Sequence, residues 1–490
     1  MPVFYGHLSF QRINMEVAEQ TKKGLKVYDP LYGFIDLTPL EMEIIHSPFF
    51  QRLRWIKQLG FSFYVFHGAE HSRYGHSIGV LNNAHHILRS VGRGVEDHEL
   101  FQKIQVTKEA KYHQAIRISA LLHDIGTFLF SHTTEMAYIK IGETTNKKGG
   151  KGLKDDHENL GSFIIKNTDY EGGLTRILKD HGIDPQEISD LVKGTHSSIL
   201  ANQILHSEID CDRMDYLLRD AHYTGLKYGT YDREYLLHHF TTKKVAGHDI
   251  LAIKENALHC VEDFLNARFA WYSQVIRSPR GSKYDSIADT LCYHMLEKGH
   301  IYRYSELLDI ISNDPMRFYG FNDSYFMNTI HKLLVDGKFD GYPHIKDMAK
   351  ILLLRHGAKN IDISEFSQSL LEQDNTGFND KLYKKTENKA QDIVNIVKMK
   401  GGAADWVIPD LPKKKIIFVK SPRELAKETN KTNLLLERDP VKICFDDGQV
   451  QLLADVENSI ISKLSNTMSY TPNCFCSDGA YQILQDEGII

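Results

Sequence analysis

Cysteine is scarce in this chain, with 6 among 490 residues, at positions 211, 260, 292, 444, 474 and 476. Only Cys474 and Cys476 lie close together, and that pair lacks the second half of a thiolate zinc framework. A disulfide-stapled secreted scaffold is therefore not expected, and the thiols read as reduced and cytoplasmic. Long apolar runs are missing as well. No segment approaches the ~18 uninterrupted apolar residues of a membrane span. The start, MPVFYGHLSF, has no basic stretch followed by an apolar one, so no secretory leader is expected. A large excess of positive charge is absent too. With 59 Lys and Arg against 64 Asp and Glu, the net charge of −5 gives no global footprint for nucleic acid, which stays a less favoured partner.

Histidine is plentiful, and its placement is uneven. Of 25 histidines, 22 precede residue 301, so histidine chemistry belongs to the first three-fifths of the chain. Hydrophobic content of 42% and charged content of 25% are those of an ordinary globular protein, and 490 residues suffice for two or three domains with a sizeable core. There is no internal repeat.

The pattern along the first 300 residues is mostly helical. LTPLEMEIIHSPFFQRLRWIKQLG, 37–60, opens on Thr-Pro with an acidic first turn, repeats Phe50, Leu53 and Ile56 at helical spacing, and closes at Gly60. HSIGVLNNAHHILRSV, YHQAIRISALLHD and HENLGSFIIKN read as further helices. So do the long runs 201–222 and 257–276. Residues 146–156 form a Gly/Lys-rich loop, and 243–254 read as a hairpin turning near Gly247. Beyond 300 the character becomes mixed, with helical pieces at 302–313 and 328–337 and strands in KKKIIFVK and VKICFDDGQVQLL. Residues 1–300 and 301–490 are thus expected as two regions.

Four short stretches hold residues suited to chemistry. HSRYGHS sets Arg73 and His76 three apart on one helical face. LLHDIGTFLFSH holds His123, Asp124 and His132. DDHENLG holds His157 and Glu158. EIDCDRMDYLLRD holds Asp210, Asp212, Arg213, Asp215, Tyr216, Arg219 and Asp220. On one long helix, Asp212, Tyr216 and Arg219 or Asp220 would form a single stripe, with Ile209, Met214, Leu217 and Leu218 facing inward. Taken alone, the charged members read as a solvated face with salt bridges, and each histidine as an ordinary core or surface residue. Taken together, His76, His123, Asp124 and Asp212 make a mixed nitrogen and oxygen donor set. Such a set suits a five- or six-coordinate Fe, Mn, Zn, Ni or Mg ion with positions left open for water or substrate.

These stretches, with DPLYGFIDL, PFFQRLRWIKQLG and YVFHGAEHSRYGHSIGV before them, occur in one order over roughly residues 26 to 280. In that order the chain resembles the HD-domain phosphohydrolase superfamily, and within it the deoxynucleoside triphosphate triphosphohydrolases related to the mammalian SAM- and HD-domain dNTPase. The resemblance implies a mainly α fold: an HD-domain helical core with small β elements and a mixed α/β C-terminal region. It implies a divalent metal held by His76, His123, Asp124 and Asp212. It places His132, Glu135 and His157 in catalysis, with Glu135 where relatives often have an aspartate. Arg73, Asp210 and Arg213 fall on the phosphate side, and Arg268 on a late phosphate-binding position. Gln58, Leu59, Tyr216 and Asp220 fall around the deoxyribose. The implied reaction is hydrolysis of a deoxynucleoside triphosphate (dNTP) to deoxynucleoside and triphosphate by a cytoplasmic homo-oligomer (dimer, tetramer or hexamer). Its members serve in nucleotide-pool housekeeping or in defence against phage. Activation by a second nucleotide is also implied, through Asp29, Gln51 and Arg54.

Two departures from the family pattern stand out. Thr127 occupies the position after the HD-x-G glycine where relatives often carry a histidine. His46 occupies the place of an acidic residue that reads a guanine effector. The basic stretch 381–431, with 13 Lys and Arg against six Asp and Glu, suits a solvated surface, an effector or subunit contact, or nucleic acid. The competing readings are another HD phosphohydrolase chemistry (nucleotide monophosphatase, phosphodiesterase or nuclease) and a nucleotide-sensing protein with a vestigial site.

Overall fold

The computed structural model describes residues 25–95, 100–101, 107–143, 154–361, 363, 371–372, 376–403, 406–411, 416–417, 431–464, 467–469 and 472–490. The fold is mainly helical with small sheets. The elements that build the site, in chain order, are the hairpin β1 (Leu25–Asp29) and β2 (Gly33–Leu37), then α1 (Pro39–His46) and α2 (Pro48–Arg52). Next come α3 (Arg73–Ser90), α4 (Lys108–Leu122), α5 (His132–Ile141) and α6 (His157–Asn167). These are followed by α7 (Ile199–His206), α8 (Cys211–Thr224), the hairpin β3 (Phe240–Val245) and β4 (His248–Lys254), and α9 (Leu258–Trp271). Two later helices, α10 (Pro279–Glu297) and α11 (Asp323–Val335), also reach the site.

Local chemistry explains where these elements start and stop. Thr38 caps α1 in a reciprocal box with Glu41, and Pro39 fills the first helical position. The single helix expected over 37–60 is broken. Ser47, extended, ends α1 and caps α2 ahead of Pro48. The chain leaves helical geometry at Ile56 and runs antiparallel to 71–73, with Arg73 N–H donating to Ile56 O and Gln58 N–H to His71 O. The long helix expected over 201–222 is also two. Ser207 is extended, and Asp210 caps α8 by accepting from Arg213 N–H at 2.7 Å. The run 257–276 is α-helical to Trp271 and then π-helical over Tyr272–Ile276, a local form frequent at functional sites. The 243–254 hairpin turns at Ala246 and Gly247, both at positive φ. The strand expected in 413–420 is present at Ile416–Ile417, the remainder lying outside the described residues along with 146–153 and most of 411–430.

Helix α3 packs against α4 and α8, and α5 packs along α10. The main apolar core runs from Leu25 to Ile461 and takes residues from both sides of position 300, including Ile301, Leu307, Phe318, Phe326 and Ile330. In the C-terminal region β5 (Lys442–Cys444) pairs in parallel with β4 and antiparallel with β6 (Val450–Leu452), giving a sheet ordered β6-β5-β4-β3. A smaller core gathers Ile361, Ile393, Val397, Cys474, Cys476 and Leu484. All six cysteines are free. Among the described residues no helix is long and apolar enough to cross a membrane.

Candidate active site

Three helices bring two histidines and two aspartates to one point. His76 lies in the first turn of α3, His123 and Asp124 lie where α4 ends, and Asp212 lies in the first turn of α8. His76 Nδ1 is 2.8 Å from Asp215 Oδ2, and His123 Nδ1 is 2.8 Å from Ala120 O. A carboxylate and a carbonyl can only accept, so both Nδ1 atoms carry the proton and both Nε2 atoms present a lone pair. His76 Nε2 lies 3.0 Å from Asp212 Oδ1 and 3.7 Å from Asp124 Oδ2; His123 Nε2 lies 3.2 Å from Asp124 Oδ2 and 3.7 Å from Asp212 Oδ1. Yet both Nε2 atoms are buried without a hydrogen-bond partner. Orphaned imidazole nitrogens converging with carboxylates fit a divalent metal site, and the hydrogen bond at the far nitrogen is the usual support for a ligating histidine.

A buried layer lies behind this set. Asp215 receives His76 on one side and Arg219 on the other, at 2.8 and 3.0 Å. Arg219 also pairs with Asp29 at 2.9 Å. Burial weighs against a charged His76, while the Asp215 and Asp212 carboxylates beside it draw its pKa upward; a metal at Nε2 would take the place of the proton they favour there. Arg219 and Asp220 are buried, so the charged face of this helix is not solvated there. Arg73 forms an ion pair with Asp124, and its Nε donates to Ser131 Oγ at 2.9 Å.

Beside this set, Glu135 holds two histidines. Its Oε2 lies 2.9 Å from His132 Nδ1, and its Oε1 lies 2.6 Å from His157 Nδ1 and accepts from the His157 N–H at 2.8 Å. The sequence pairs His132 with Glu135; the second arm, to His157, comes from tertiary packing. Gly126 permits it, since a Cβ there would lie 2.2 Å from Gly161 N and 2.3 Å from His157 O. Glu135 is drawn below its ordinary range: burial opposes this, but the hydrogen bonds and charges of both histidines prevail. His157 is raised to about 9, against its burial, by Glu135 and by the charges of Asp124 and Glu158. The His132 side chain is 58% exposed, so it alone of the three faces a bound molecule freely.

The residues assigned to the substrate fall on two flanks. On the first, Asp210 is buried, caps α8 and pairs with Arg213, whose guanidinium also donates to Ser207 O at 3.0 Å. Arg268 donates to Glu208 O at 3.3 Å, and Tyr216 packs on Trp271 at 4.8 Å between ring centroids. Burial raises Asp210 to about 7, with the Arg213 charge opposing. Tyr272, at the start of the π-helical turn, interacts with Tyr216 and Arg213. It was not singled out in the sequence, and the only local signal is its place in the Trp-Tyr pair.

On the second flank, Gln58 and Leu59 are buried beside His71. The His71 ring lies 2.7 Å from Asp220 Oδ1 and stacks on Tyr223 at 4.6 Å. Gln58 Oε1, Asp220 Oδ2 and His71 Nδ1 are all buried without a hydrogen-bond partner. His71 was likewise not assigned from sequence, although it stands in the HSRYGHS stretch. Thr127 is buried; its carbonyl accepts from Arg52 at 2.7 Å, and its hydroxyl has no partner.

The three positions assigned to an effector make different contacts. Gln51 and Arg54 bond each other at 2.8 Å on the surface, Arg54 lies 3.5 Å over the Tyr74 ring, and His46 feels the Arg54 charge. Asp29 is buried, with Oδ1 accepting from Leu31 and Tyr32 N–H in the hairpin turn and Oδ2 paired with Arg219. Its carboxylate is committed inside the protein rather than presented beside Gln51 and Arg54.

Residues 73–220 match the family model of the HD domain. The chain is 30% identical over 294 residues to the uncharacterized protein YwfO of Bacillus subtilis, covering 60% of this chain and 59% of that one. It is 30% identical over 227 residues to the deoxynucleoside triphosphate triphosphohydrolase SAMHD1 of Bos taurus, covering 41% and 36%. The matches thus span well under two thirds of the curated relatives' length. Among solved structures, a phosphohydrolase from Bacteroides thetaiotaomicron superposes with a TM-score of 0.63 at 19% identity, over 93% of this chain and 100% of that one. A hypothetical protein from Aquifex aeolicus gives the same TM-score of 0.63 at 21% identity, over 94% and 100%. At those identities the likeness is one of fold.

Proposed function

We propose, on the match of residues 73–220 to the HD-domain family model, that this chain is a metal-dependent phosphohydrolase that splits dNTPs into deoxynucleoside and triphosphate. The observation that carries the reading is the convergence of two unpartnered imidazole nitrogens, His76 Nε2 and His123 Nε2, with Asp124 and Asp212, next to a histidine pair held by one glutamate.

His76, His123, Asp124 and Asp212 would hold the metal. When bound, the metal supplies Lewis acidity and activates water at neutral pH. Arg73, Arg213 and Arg268 bring positive charge to the phosphates, with Arg73 already fixed by Asp124 and Ser131. His157 stays cationic through neutral pH and adds to that charge. His132, oriented by Glu135 and open to solvent, donates the proton to the leaving 5′-oxygen. On the sugar side, the free acceptors of Gln58 and Asp220 suit a hydroxyl donor such as the 3′-OH, and Leu59 from this flank with Tyr216 from the other would close on the carbon that bears no 2′-OH. Residues 1–300 serve as the catalytic region and 301–490 in oligomerisation or effector contact, with Gln51 and Arg54 facing an activating nucleotide.

The test is a product assay with each dNTP, alone and in mixtures, with Mn²⁺, Mg²⁺, Fe²⁺, Zn²⁺ or Ni²⁺ added. Deoxynucleoside plus intact triphosphate is the expected result. Release only of diphosphate or monophosphate, or cutting of nucleic acid, would overturn it.

A further inference from the structure

Two buried aspartates beyond the HD stretch tie together the same two chain segments. Asp323, the first residue of α11, accepts from Lys57 N–H through Oδ2 at 2.8 Å and from Phe130 N–H through Oδ1 at 2.6 Å. Asp285, on α10, accepts through Oδ1 from Phe61 N–H at 3.1 Å and from the Thr133 hydroxyl at 2.7 Å. One segment, 57–61, carries Gln58 and Leu59; the other, 130–133, carries His132. Each aspartate holds one end of both.

Other contacts close the seam. Ser131 Oγ donates to Lys57 O at 2.5 Å and accepts from Arg73. Gly60 sits at φ +51, and a Cβ there would come within 2.3 Å of Thr133 Oγ1 and 2.7 Å of Asp285 Oδ1, so only glycine lets the segments meet. Phe130 and Ser131, at φ 51 and 60, hold a backbone form that side chains disfavour, which neighbouring contacts must enforce. Asp323 spends both oxygens on backbone amides, with Arg52 and Lys57 as the nearby cations; Asp285 faces Arg277 and Asp410. Burial raises Asp323 to about 7 and Asp285 to about 6, a cost more typical of functional sites than of plain structural ones.

We propose that Asp323 and Asp285 are positioning residues that lock the sugar-side segment 57–61 onto the segment delivering His132, so that sugar fit and proton-donor placement are set together. This rests on the dNTP-hydrolysing reading of the site. Loss of the lock lets Leu59 recede from the 2′ carbon and lets His132 wander, two effects that a general loss of stability would not couple.

The experiment compares wild type, Asp323→Asn and Thr133→Val. Thr133→Val removes one hydrogen bond of Asp285 at nearly constant volume and serves if Asp323→Asn does not fold. Amide exchange at Lys57 and Phe130 in Asp323→Asn, or at Phe61 in Thr133→Val, is expected to quicken. The ratio of kcat/KM for a dNTP over its ribonucleotide is expected to fall about tenfold together with kcat, the order one hydrogen bond to a charged acceptor supplies. Unchanged exchange, or faster exchange with the ratio and kcat at wild-type values, would overturn the lock. If wild type hydrolyses no dNTP, the functional reading falls and the sugar and proton-donor roles fall with it, while exchange still decides whether the two aspartates join the two segments.

Discussion

His157 and Glu135 are joined twice: the imidazole Nδ1 lies 2.6 Å from Glu135 Oε1, and the His157 backbone N–H donates to that same oxygen at 2.8 Å. The pair sets a pH window. His157, raised from 6.5 to about 9, contributes stability that is full below pH 6.5 and is lost as pH rises through 9. Glu135, held below 4.5, contributes stability present above that pH and lost as the solution becomes more acidic. Thermal melts of wild type should therefore decline between pH 6.5 and 9, and Glu135→Gln should flatten that decline. Equal slopes in both proteins would contradict the pairing.

His132 is expected to act in chemistry and not in metal retention. His132→Ala should lower kcat by about 10²–10⁴-fold, with bound metal per chain unchanged by elemental analysis. Loss of metal along with activity would move His132 into the ligand set.

Chelation should abolish turnover, and adding back a divalent ion should restore it. His123→Ala and Asp212→Ala should not be rescued this way. Asp215→Asn, which keeps the side-chain shape behind His76 but weakens its pairs with His76 and Arg219, should weaken metal affinity by about 10–100-fold while leaving some activity at high metal. Competition with a chromophoric chelator measures this directly, and wild-type affinity would show that Asp215 does not support His76.

Gly126→Ala places a methyl group against the backbone of Gly161 and His157. It should cost about 1–3 kcal/mol of stability by denaturant titration, and it should weaken the His157–Glu135 contact. A variant as stable as wild type would mean that α6 moves away freely.

Much of the candidate site was legible because the proposed metal ligands stand in compact stretches. HSRYGHS, LLHD and DCDR name residues at the beginnings or ends of helices, where periodicity holds well. The helix breaks were less legible. Asp210 looks like one more charge on a long helix until its carboxylate is seen capping α8, and Ser47 serves one helix as its end and the next as its start. Apolar spacing continues across both breaks, so periodicity alone bridges them. The pairing of Asp29 was hidden in another way: its carboxylate meets Arg219, 190 residues away in sequence and adjacent only after folding. Asp323, Asp285 and Arg52 were invisible for the same reason, since their partners are backbone groups of distant loops and, for Asp285, also the Thr133 hydroxyl, and no residue type announces such a partner.

Arg52 donates to Ile125 O and Thr127 O and also to Phe321 O, next to Asp323. During synthesis, all four candidate metal ligands leave the ribosome well before residues 321–323 do. The catalytic loops therefore wait for a chain segment translated more than a hundred residues after Asp212, and a nascent chain halted before it carries the ligands without the geometry. Domains generally fold as units as they emerge, but here the candidate site is completed late in translation. Premature termination anywhere before residue 323 should yield a fragment that holds the four candidate ligands without the contacts Phe321 and Asp323 make to the segments beside them.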